Sequence, residues 1–201
     1  MQRILSISVI AVFVLFCGCK NENVKKMDEN QTKEWKQINP EEISDNSIAL
    51  FHDVWAIITA GEADDFNMMT ASWGMLGTLW ERPTAFCFVR PQRHTFNFTE
   101  KEDTFTLSFF DEKYRDQLQY LGTVSGRDED KLKGSGFTKK ILPSGNISYE
   151  EARLIIECKK IYVDFFKEEN FLDASIPAKI YAEKDFHRIY IGVITNVWEK
   201  K

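Results

Sequence analysis

The hydrophobic and polar positions of the chain fall mostly into a period of two. Thr104 to Phe109 is the clearest case, with Phe105, Leu107 and Phe109 on one side of an extended segment. The same alternation recurs at Ile161, Val163 and Phe165 within a run from Leu154 to Phe166. It appears again at Ile189, Ile191 and Val193 within a run from Arg188 to Trp198. Three further runs rich in β-branched and aromatic residues read as strands. Val54 to Ala60 is ended by Gly61, and Phe66 to Trp73 is closed by Gly74. Thr84 to Val89 stops at Arg90-Pro91, where proline removes a ladder donor. Glu62-Ala63-Asp64-Asp65 supplies turn chemistry between the first two.

Helical spacing is rarer. Thr95 is placed to cap a short helix through Lys101, and Asp111 to Leu121 sets Tyr114, Leu118 and Leu121 on one face. Arg127 to Lys133 reads as a short charged helix stopped by Gly134, and Ser148-Tyr149-Glu150-Glu151 matches a capping box. Six or more strands with a few short helices predict a mainly β fold. Closure into a β-barrel is the economical way to remove sheet edges.

The N-terminus follows another logic. Behind Arg3, Ile4 to Phe16 is an apolar run too short to span a bilayer, which takes ~20 helical residues, but of the length of a secretory leader. Phe16-Cys17-Gly18-Cys19 follows, and a small residue directly before a cysteine resembles a lipobox, with Cys19 as the lipidated residue. An ordinary signal peptide cut near Gly18 is the alternative. The expected organisation is a lipoprotein signal peptide over 1–18, a flexible tether over 19–39 with Trp35 its only aromatic, and one domain over 40–201. The protein is then expected in a bacterial cell envelope, touching membrane only through its lipid.

A chain of 201 residues fits one domain, and its 16 phenylalanines supply a large core. A net charge of −5 without a basic stripe argues against nucleic acid as a partner. Cys87 and Cys158 lie in apolar runs and are expected as buried free thiols. No cysteine or histidine spacing suggests a metal.

Candidate chemistry is concentrated between Asn67 and Thr95. Asn67-Met68-Met69-Thr70-Ala71-Ser72-Trp73 places small polar residues where an apolar strand would have bulk, so a flat ring or a phosphate can approach the backbone. Arg90-Pro91-Gln92-Arg93-His94-Thr95 gathers two arginines, a threonine and a helix start. Guanidinium forks and helix N–H groups suit phosphate oxygens. A solvated basic loop is the bland alternative.

These segments resemble the flavin reductase domain family, the FMN-binding split barrels that include flavoredoxin. The resemblance runs through Trp55 to Gly61, Asn67 to Gly74, Phe88 to Thr95, Ser125-Gly126-Arg127-Asp128-Glu129-Asp130-Lys131 and Asp185-Phe186-His187-Arg188-Ile189-Tyr190-Ile191-Gly192. It implies a homodimer with FMN near the subunit interface. It also implies Asn67, Met69, Thr70, Ala71, Ser72, Trp73 and Arg90 around the cofactor, and Arg93 with Thr95 on the phosphate. Ser125, Gly126 and Lys131 would line the same pocket. His94 replaces an aromatic usual in the family, and Val193 an acid common after Gly192; both bear on the substrate pocket. His187 is the candidate catalytic residue by resemblance, with a structural histidine as the alternative.

No Gly-x-Gly-x-x-Gly fingerprint is present, so no dedicated dinucleotide fold is visible. In this family NAD(P)H would stack on the flavin itself. Three readings remain open. The first two are a flavin reductase-like oxidoreductase and a non-enzymatic electron carrier serving a redox protein partner. A barrel that has lost the chemistry is the third.

Overall fold

A computed structural model describes residues 34–201. The signal peptide, Cys19 and most of the tether lie outside the described residues.

Alternating segments became antiparallel strands of one sheet. Its central path runs β3 (Asp65–Ala71), β2 (Ala56–Glu62), β6 (Thr104–Phe109), β9 (Leu154–Phe165), β10 (Arg188–Lys200), β5 (Arg82–Val89) and β4 (Gly74–Leu79). The edge strands β3 and β4 are consecutive in the chain, so the barrel is split where Ser72-Trp73 joins them. The mainly β barrel expected from the pattern, in the split form that the resemblance implies, is the observed fold. Phe105, Leu107 and Phe109 share the interior with Ile58, Met69, Ile156 and Tyr190. Thr106 and Ser108, on the other face, are buried too. Thr106 donates to the Ile147 carbonyl at 2.7 Å, and the Ser108 and Ser148 hydroxyls meet at 2.9 Å. That outer face is covered by the hairpin β7 (Lys139–Ile141) and β8 (Ile147–Tyr149) and by a helix, Arg115–Thr123, which buries Leu118 and Leu121.

Several sequence expectations need correction. The tether does not extend to residue 39: Trp35–Ile38 forms β1, paired antiparallel with the end of β10, and Trp35 is buried between the Lys140 and Lys200 ammonium groups. Gly74 does not end a strand but opens β4. The β4–β5 turn is made by Trp80 and Glu81, both at positive φ (51° and 59°), without the glycine that usually marks such a hairpin. Ser148 to Glu151 is no capping box. Ser148 lies in β8, and Glu151 accepts the Thr138 backbone N–H instead. Thr95 is the first residue of its helix, α2 below, rather than a cap, and its hydroxyl is used elsewhere. The charged helix is Lys131–Ser135, capped by Asp130 and ended by left-handed Gly136, not by Gly134.

With Ser47–Ala49 as α1, the helices that matter below are α2 (Thr95–Lys101), α3 (Arg115–Thr123), α4 (Lys131–Ser135) and α5 (Ser175–Ile180). Cys87 and Cys158 are free and fully buried, and burial pushes both thiols up out of the reactive range. Among the described residues no helix is long and apolar enough to cross a membrane.

Candidate functional site

Two cavities meet at the split of the barrel. The first, of about 170 Å³, lies along the end of β3 and is lined by Met69 to Trp73, Phe88, Arg90, Arg93 and His187. The second, of about 400 Å³, shares Met69, Arg90 and Arg93 with it. It continues past Thr95 to Ser125, Gly126 and Lys131. Chain segments far apart in sequence converge because β10 begins beside the end of β5, with Arg188 opposite Val89, and because α3 packs against β3 and α4 against α3. The suggested residues are thus brought together. Asn67 is the exception, sitting just behind the wall. Its Oδ1 accepts the Thr95 hydroxyl at 2.9 Å, and its amide fills the space that a Cβ at Gly126 would need.

The second cavity is cationic. Lys131 is buried, and its Nζ donates to the Leu121 carbonyl at 2.8 Å. Arg93 Nη1 donates to the Gly122 carbonyl at 2.7 Å. Neither forms an ion pair with a described carboxylate. Burial brings the Lys131 ammonium down to about 8, and the nearby Arg93 charge adds to the effect. Arg93 is likewise depressed, by burial first and then by Arg90. His94 turns its edge onto Phe98, and its Nδ1 is buried without a partner. This histidine is lowered by burial and then by Arg127 and Lys131.

The first cavity is closer to neutral. Arg90 binds the Asp185 carboxylate at 2.6 Å and the Ile180 carbonyl at 3.0 Å, and lies over the Tyr181 ring. Gln92 bonds the same carboxylate. Burial would raise Asp185, but Arg90 and Gln92 hold it below the usual carboxylate range. His187 Nδ1 meets the Tyr181 hydroxyl at 2.8 Å, and its ring lies 5.2 Å from that of Trp73. Burial, helped by the Arg90 charge, lowers His187 to about 4, so its imidazole is neutral at physiological pH. Trp73 itself is 48% exposed. The Thr70 hydroxyl donates away from the cavity, to the Leu118 carbonyl at 2.6 Å.

A model of the flavin reductase like domain matches residues 48–201. The chain belongs to the flavin reductase-like domain family. Solved members share its fold. An FMN-binding protein from Thermus thermophilus, 23% identical, superposes with a TM-score of 0.59 over 74% of this chain and 72% of that one. An FMN-binding domain of a flavin reductases-like enzyme from Shewanella baltica, 14% identical, gives 0.60 over 82% and 76%. Flavoredoxin from Methanosarcina acetivorans, 15% identical, gives 0.56 over 74% and 69%. No curated protein matches at a comparable level.

Within this flavin reductase-like fold, sequence reasoning missed Tyr181 and the part played by Asp185. Tyr181 follows α5 in an irregular stretch with no periodicity. The pairing of Asp185 with Arg90 becomes visible only once β5 and β10 are known to be neighbours.

Proposed function

We propose that this flavin reductase-like chain binds FMN across the two joined cavities and passes electrons through it as an oxidoreductase. The reading is carried by the buried Lys131 and the half-buried Arg93, which face a cavity with only backbone carbonyls as partners. Buried charge without a counter-charge is unfavourable, and a phosphate dianion supplies what is missing. Arg93, Lys131 and Thr95 hold the phosphate. Gly126 and the small side chains Ala71 and Ser72 let the ligand approach the backbone closely. His187 and Trp73 flank the ring end. FMN, once bound, supplies the hydride and single-electron chemistry. The relatives from Thermus and Shewanella, described as FMN-binding, support the choice of the mononucleotide.

The exposed Trp73 at the ring end favours a second reading, a flavoredoxin-like carrier that meets a redox partner there. An absorption spectrum of the purified protein before and after NADH separates them. Bleaching of bound flavin by NADH supports the reductase, and flavin reduced only by protein or artificial donors supports the carrier. Protein that takes up no FMN refutes both.

Two further features belong to this reading. A homodimer is proposed from the exposed Trp80, Tyr162 and Val163, and a clean monomer in sedimentation at micromolar concentration counts against it. Anchoring in the cell envelope through Cys19 is proposed from the leader. Radiolabelled palmitate should mark the wild type and not Cys19→Ala, with equal labelling refuting the anchor.

A further inference from the structure

Beside the ring end lies a third space, a groove of about 630 Å³. It meets the first cavity at Ser72, Trp73 and Phe88. Phe51, Met75, Phe171 and Ile176 are among its other walls, and no Lys, Arg, Asp or Glu lines it. One wall is a chain of rings held by their own contacts. Phe88 stacks on Phe166 at 5.6 Å, Phe166 meets Phe171 at 6.0 Å, and Phe171 meets Tyr181 at 5.9 Å. Such a wall is preorganised and apolar, and the volume is that of a small-molecule site.

The polar feature beside it is a pair: Tyr181 lines the groove and His187 the adjoining first cavity. The buried Tyr181 hydroxyl meets His187 Nδ1 at 2.8 Å, and with the hydroxyl donating, the imidazole proton resides on Nε2. In that tautomer His187 offers an N–H rather than a lone pair or a positive charge. The geometry points to this groove as a binding site for an uncharged, planar, apolar carbonyl compound of the quinone or aromatic ketone class, its oxygen accepting from His187. The inference rests on the flavin reading for the cofactor placed next to the groove. A pyridine dinucleotide fits the groove poorly, because nothing that lines it neutralises a pyrophosphate.

The test uses duroquinone, which is uncharged and has no free ring position for thiol addition. It is titrated calorimetrically into the full chain saturated with oxidised FMN. Saturable one-to-one binding is expected, unaffected by millimolar NAD+. Phe171→Ala should weaken it by roughly tenfold through lost ring burial. His187→Phe should weaken it by roughly fivefold through the lost hydrogen bond. No saturable heat, displacement by NAD+, or unchanged affinity in both variants overturns the inference. Affinity that falls as the protein self-associates, with dimer seen by sedimentation, also overturns it, because a second copy then covers the groove. Flavin uptake is read separately from the absorbance. If FMN fails to bind, the flavin reading falls, and the same titration on flavin-free protein decides the groove alone.

Discussion

At the Lys131 end of the paired cavities, two cations go without acids. At the His187 end, the cation Arg90 is matched by Asp185 and packed over Tyr181. The same barrel opening therefore holds one region with unbalanced charge and one with charge internally balanced. The unbalanced region depends on a ligand to complete it, while the balanced one keeps a histidine neutral and leaves an apolar surface for whatever comes next. A protein built only for stability would have paired Lys131, since the folded state gains nothing from a lone buried ammonium.

This contrast can be broken at either end. The largest effect is expected at the phosphate end. Arg93→Ala should weaken FMN by roughly ten- to a hundredfold, given ~1.5–3 kcal/mol for a charge-assisted hydrogen bond. Riboflavin, which lacks the phosphate, should lose little. Titrating both ligands into both proteins decides it, and equal losses would mean that Arg93 supports the fold instead.

The balanced end should show itself in acid. His187 is depressed in the folded protein to about 4, so the unfolded chain takes up the proton first. Stability present above pH ~6.5 is therefore lost as pH falls towards 4, by about 1–2 kcal/mol at pH ~5. Denaturant unfolding of wild type and His187→Phe at both pH values should show that this loss is absent from the variant.

Lys131 titrates in the opposite direction. Its pKa in the free protein is about 8, and a bound phosphate raises it, so the complex holds the proton more tightly. FMN affinity should be full below pH 8 and fall above it, by up to roughly tenfold. Lys131→Met should flatten the profile, and a wild-type affinity independent of pH from 7 to 9.5 would remove Lys131 from the phosphate site.

The smallest effect concerns shape. A Cβ at Gly126 overlaps the Asn67 amide that receives the Thr95 hydroxyl. Gly126→Ala should push Asn67 aside and weaken FMN by roughly threefold, about 0.6 kcal/mol, with ring-end ligands unaffected. Fluorescence titration of the variant measures it.

Much of this was legible in the chain, for identifiable reasons. β6 alternates cleanly because one face lines the barrel interior. In β9 the alternating Ile161, Val163 and Phe165 lie in the outer, partly exposed half, while Leu154 to Cys158 is buried on both faces. α2 was read to within one residue. β4 was lost because Gly74-Met75-Leu76-Gly77-Thr78-Leu79 is an edge strand with neither face deeply buried. Its turn uses tryptophan and glutamate where glycine or asparagine would have given a signal. β1 was lost because a single tryptophan in a polar stretch carries no periodicity; only the pairing with β10 and the two flanking lysines give it a place. At the candidate site, the residues close to the β3–β4 turn were readable as short motifs. The ring end was not, since its key contacts join β5 to the irregular segment before β10 across some 90 positions of sequence.

One feature of that β1–β10 pairing bears on handling the protein. The Lys201 backbone N–H donates to the Glu34 carbonyl at 2.9 Å, and Lys200 meets the Glu34 carboxylate at 2.8 Å. The two ends of the described residues therefore meet at a single corner. β10 starts next to His187 and ends at that corner 13 residues later, roughly 40 Å along the strand at ~3.3 Å per residue. An affinity tag, a surface linker or a fluorophore fused after Lys201 would emerge from that corner. Immobilised through it, the protein would present its cavities outward, away from the support.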